Sequence, residues 1–189
     1  MRSCGPSRMP IGRDEKRGRM EIERRVESLK EEFRTDDPEE LARGLGVSIY
    51  DRSDFSQLLG MFALVDRRPC IFLNANMGER DRRIVLAHEL GHAVLHRSEE
   101  GILDMVQFTL FSTNSRSEYE ANVFAAHLLM DDGEVRDLLK EGVDVVSLAQ
   151  TLQVDINLLL IKLHEMEKKG LGMDLPDLPP SDFLKYGHQ

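Results

Sequence analysis

The segment His88-Glu89-Leu90-Gly91-His92 places two histidines four residues apart, with a glutamate directly after the first. From Glu79 to about Arg97 the apolar residues Ile84, Val85, Leu90 and Val94 recur every three to four positions, which predicts a long helix around it. On a helix, residues i and i+4 lie one turn apart on the same face, so both imidazoles can converge on one ion. Two ligands of a metal site are thereby preplaced.

Zinc suits such a pair, because neutral imidazole is a good ligand for it and a catalytic site takes three protein ligands plus a water that ionises near neutrality. Glu89 adjoins the first histidine and is placed to act as general base toward that water, later passing the proton to a leaving amine. The third ligand is expected from the helix that follows, in SEYEANVFAAHLLM. Glu118 shares a face with Asn122, four residues on, which would orient a ligand from behind; Glu120, on another face, is the alternative.

The HExxH pattern alone arises by chance in roughly one chain of this length per hundred or two. Three features of context strengthen it: it falls within a helix, a strand candidate closely precedes it, and a helix bearing carboxylates follows. His96 lies one turn beyond His92, but position 98 is Ser, so the spacing that would recruit a third histidine is absent and His96 reads as structural. His127, on the apolar FAAHLLM face, reads as a packed core histidine. Nothing places Tyr50, Tyr119 or Tyr186 over the metal, so no oxyanion donor is named.

Elsewhere, residues 1–19 mix Gly, Pro, Ser and Arg with few apolar side chains and are expected to form a flexible basic tail. A domain over 20–172 follows, with a Pro-rich tail at 173–189. Ile22, Val26, Leu29 and Phe33 mark an amphipathic helix from Met20. Asp37-Pro38 caps a short helix that Gly44 and Gly46 end. VSIY, GMFALV and CIFLN read as strands of a small, partly antiparallel sheet, with a turn at Asp66 to Pro69. A loop reaches to about Arg116, and helical patterns resume at SEYEANVFAAHLLM, GEVRDLLKEG, DVVSLAQTLQ and DINLLLIKLHEMEKK. The expected fold is α+β, its sheet edge beside the active-site helix, where a substrate would pair as an added strand.

The two cysteines, Cys4 and Cys70, form no CxxC pair, which argues against a disulfide framework or a cysteine zinc site and favours a reducing cytoplasm. No apolar run approaches the roughly 20 residues of a membrane helix, so neither secretion nor a membrane span is expected. The net charge of −9 opposes a phosphate backbone and favours a basic protein partner.

Taken in order, DPEELARGLGV, IFLN, RRIVLAHELGHAVLH and SEYEANVFAAHLLM resemble the ImmA/IrrE family of zinc metallopeptidases over roughly residues 36 to 170. The resemblance implies a zincin-like fold, assigns His88, His92 and Glu118 to zinc and Glu89 to catalysis, and implies a bacterial or phage-encoded protein. It further implies a protein substrate, an XRE-type helix-turn-helix repressor, whose cleavage relieves repression of a mobile element, prophage or stress genes. Where the family usually has Pro after LLM, this chain has Asp131.

Two other readings compete. SLAQTLQVDINLLLIKLHEM resembles a helix-turn-helix, with Ala149 and Val154 at positions such units bury. Its second helix offers Ile156, Leu158, Leu159, Leu160, Ile161 and Leu163 where base-reading side chains belong, so it reads as a packing unit without direct nucleic-acid contact. The other is a metal-binding scaffold in which Glu89 is a spectator.

Overall fold

The computed structural model describes residues 13–96 and 115–170. The expected loop up to Arg116 lies almost wholly outside these, as do the C-terminal tail, Cys4 and Tyr186.

Helix α1 spans Arg13–Phe33 and α2 spans Pro38–Gly44. The first helix starts seven residues before Met20, shortening the expected tail; Arg, Glu and Lys in that stretch are good helix formers. The stripe Ile22, Val26 and Leu29 is buried as its spacing predicts. Asp37 caps α2, its side chain accepting from the backbone N–H groups of Glu39 and Glu40.

Strands β1 (Ser48–Arg52), β2 (Gly60–Val65) and β3 (Arg68–Asn74) form a sheet in the order β1-β3-β2. β2 and β3 make an antiparallel hairpin, whereas β1 runs parallel to β3. The hairpin turn is tighter than the expected Asp66 to Pro69. Asp66 and Arg67 both take positive φ, 50° and 64°, the geometry of a two-residue turn that matches strand twist, and Pro69 lies within β3.

Helix α3 (Glu79–Leu95) packs on β2 and β3 with one side and on α4 (Ser115–Leu129) with another. Ten consecutive residues, Ile84 to Ala93, are therefore buried, polar ones included. Burying each Leu or Ile there contributes about 1.5–3 kcal/mol, a gain that supports enclosing His88, Glu89 and His92.

α4 also packs against α1 and α7. α5 (Asp132–Lys140), α6 (Val145–Thr151) and α7 (Ile156–Glu167) complete the C-terminal half, capped by Asp131, Asp144 and Asp155. Asp131, which stands where the sequence resemblance leads one to expect Pro, caps α5, its side chain accepting from the backbone N–H groups of Gly133 and Glu134. α6 and α7 bend by 107° at their junction. Ala149 and Val154 are buried there, and α7 buries Leu158, Leu159, Ile161 and Leu163. Among the described residues no single helix is long and apolar enough to cross a membrane.

Candidate metal centre

α3 and α4 bring His88, His92 and Glu118 together, all buried, with one ligand atom of each within 4.8 Å of the others. The two imidazole Nε2 atoms are 3.2 Å apart, and Glu118 reaches them with Oε2 at 3.4 Å from His88 and Oε1 at 3.8 Å from His92. From behind, Asn122 Oδ1 lies 2.8 Å from His88 Nδ1. An amide oxygen can only accept, so His88 donates from Nδ1 and turns Nε2 toward the cluster, where that atom carries a proton or, once it ligates a metal, a lone pair. Two imidazole nitrogens and one carboxylate on a common point fit a divalent metal with a position left for water.

Burial is the largest single influence on Glu118 and raises its carboxyl pKa, but hydrogen bonds and charge from His88 and His92 together outweigh it. The group is held well below the usual carboxylate range, hence ionised as a ligand must be.

This approach of the helices depends on Gly91. A Cβ there would lie 3.0 Å from Ala121 Cα, 3.1 Å from Ala121 O and 3.2 Å from Phe124 Cβ. With only hydrogen at position 91, α3 and α4 cross closely enough for Glu118 to reach both histidines.

Glu89 is buried beside the first residue of β2. Asn74 N–H donates to Leu59 O at 2.9 Å, so 59 and 74 form a hydrogen-bonded pair. Antiparallel alternation then turns the peptide groups of Gly60, Phe62 and Leu64 away from β3. Among the described residues no strand pairs with that side of β2.

Asn74 was not foreseen as a site residue, although it ends the IFLN run. Its Nδ2 donates to the carbonyls of Phe55 (3.2 Å) and Leu58 (3.0 Å), and its Oδ1 accepts from Asn76 N–H at 2.9 Å. It pins the loop that delivers the chain to Gly60.

The other candidates lie elsewhere. Glu120 is 3.7 Å from His96 and 2.8 Å from Arg116, outside the three-ligand cluster. The Tyr119 hydroxyl donates to Glu165 on α7 at 2.7 Å, and Tyr50 stacks on Phe72 at the surface.

His127 is a core residue, as expected. Burial first, then the charge of Lys162, holds its imidazole down to about 3, so it is neutral. The spacing did not reveal that α7 carries a buried lysine beside it. Lys162 Nζ is 2.6 Å from Asp132 Oδ1 and 3.3 Å from His127 Nδ1, and Lys169 bonds both Glu23 and Asp132. Glu23, His127 and Asp132 also bring ligand atoms within 4.8 Å of one another. Two ammonium groups already supply the positive charge there.

A helix carrying His-Glu-x-x-His, a carboxylate from the next helix and a small sheet alongside are the features of a zincin-like metallopeptidase. The chain belongs to the ImmA/IrrE family: the family model described as IrrE N-terminal-like domain, a metallopeptidase family, matches residues 41–164. It is also similar to a protein called uncharacterized immunity region protein 2 from Bacillus phage phi105, with 33% identity over 111 residues, 59% of this chain and 69% of that one.

Proposed function

We propose that the protein is a zinc-dependent endopeptidase whose metal ligands are His88, His92 and Glu118 and whose general base is Glu89. The observation that carries this reading is the convergence of the three buried ligand groups, with Glu89 buried next to His88 in the chain and its side chain beside Gly60, at the start of the edge strand. A zinc ion bound there would polarise the scissile carbonyl and acidify water.

The chain's own residues supply the rest. An extended substrate pairs with the outward peptide groups of Gly60, Phe62 and Leu64, which aligns its backbone past Glu89. The Glu89 carboxylate takes a proton from the attacking water and returns it to the leaving nitrogen. Asn122 holds the His88 ring in the tautomer that offers Nε2.

The substrate we propose is a helix-turn-helix repressor of the XRE type, cut in the cytoplasm. A relative named for a phage immunity region supports a repressor-related role. The net charge of −9 favours encounter with a basic DNA-binding protein. Against DNA reading by the chain itself stands α7, where Leu158, Leu159, Ile161 and Leu163 are buried in the core.

The test mixes the zinc-assayed protein with the XRE-type repressor encoded nearest its gene. One defined cut, lost in Glu89→Gln with zinc retained and lost again on chelation, is expected. An intact repressor with stoichiometric zinc bound would overturn the peptidase reading in favour of a metal-binding scaffold.

A further inference from the structure

We propose that Gly60 is a positioning residue for Glu89: the missing side chain at the start of the edge strand leaves the space in which the glutamate carboxylate is held for catalysis. The inference rests on the peptidase reading above.

A Cβ on Gly60 would lie 3.1 Å from Glu89 Cγ and 3.2 Å from Glu89 Oε1. Both are closer than carbon comfortably approaches a neighbour. Glu89 is only 5% exposed, so its side chain has little free volume in which to give way by the few tenths of an ångström that the methyl group demands. Gly60 also presents its own peptide group to the open edge of β2. The same residue therefore sets two distances at once: that of a paired substrate backbone from the strand, and that of the general base from the strand. Placement of a base to a fraction of an ångström is what such a reaction needs.

A purely structural reason for glycine also exists, since the Cβ would overlap Val85 Cγ1. Val85→Ala removes that atom and leaves the contact with Glu89, so it separates the two reasons. Wild type, Val85→Ala and Gly60→Ala/Val85→Ala are compared for zinc content, thermal stability and Michaelis kinetics on the repressor cut by wild type. Crystal structures of the two variants without metal are determined in parallel.

The expected result is that the double variant folds and binds zinc like Val85→Ala, with kcat lower on the order of a hundredfold and KM little changed. Glu89 should occupy a different rotamer in its metal-free crystal structure. Unchanged kcat, a loss confined to KM, or Glu89 in its original rotamer would overturn the proposal. Loss of fold in the double variant while Val85→Ala stays folded would overturn it too, because backbone packing would then require the glycine. If wild type cuts nothing, the peptidase reading fails, and the Glu89 rotamer alone decides whether Gly60 places that side chain.

Discussion

Asn122 Oδ1 lies 2.8 Å from His88 Nδ1, which joins the second turn of α4 to the first histidine of α3. Asn122 is fully buried, so water cannot replace its amide. Asn122→Ala should lower metal affinity about 10–100-fold, as measured by competition with a chromogenic chelator. An unchanged affinity would mean that the ring is held by packing alone.

Gly91→Ala inserts a methyl group where α3 meets Ala121 and Phe124. The helices must spread by a few tenths of an ångström, which moves Glu118 relative to His88 and His92. A loss of about 1–3 kcal/mol of stability is expected, with weaker metal binding. Thermal denaturation with and without zinc checks both, and an affinity equal to wild type would show that the crossing has slack.

Asn74→Asp keeps the shape of the side chain but removes the two N–H donors to Phe55 and Leu58. A carboxylate facing two carbonyls should cost about 1–3 kcal/mol. The freed loop leads into Gly60, so KM for a peptide substrate should rise more than kcat falls. Urea denaturation and steady-state kinetics read the two effects separately.

His127 gives the fold an acid dependence. Its folded pKa is depressed to about 3, by burial and then by Lys162, while the same ring in an unfolded chain titrates near 6.5. Between these values the unfolded chain binds a proton that the folded chain refuses. The stability is thus fully present above about 6.5 and is lost as pH falls toward about 3, by at most about 1.4 kcal/mol per pH unit. His127→Gln, whose amide oxygen can still accept from Lys162, should flatten that slope. Urea denaturation at about pH 4.5 and about pH 7 measures it, and an equal slope in both proteins would assign the acid sensitivity to other groups, Asp132 among them.

Local rules made much of this protein legible in its sequence. The i, i+4 spacing put His88 and His92 on one face because helix geometry relates them regardless of what surrounds the helix. Asp37-Pro38 marked the start of α2, and β-branched and aromatic runs marked three strands, because capping and strand preference act within a few residues. Tertiary structure decided the rest. Glu118 and Glu120 both sit in the first turns of α4, and only the close crossing at Gly91 and Ala121 turns Glu118 toward the histidines and leaves Glu120 beside His96. Spacing showed neither the β1-β3-β2 order nor the bonds from Asn74 to a loop 16 to 19 residues earlier. Lys162 read as part of a packing helix, and its partners Asp132 and His127 come from α5 and α4. Such pairings join residues far apart in the chain, and their energies arise only when the core closes and water is excluded.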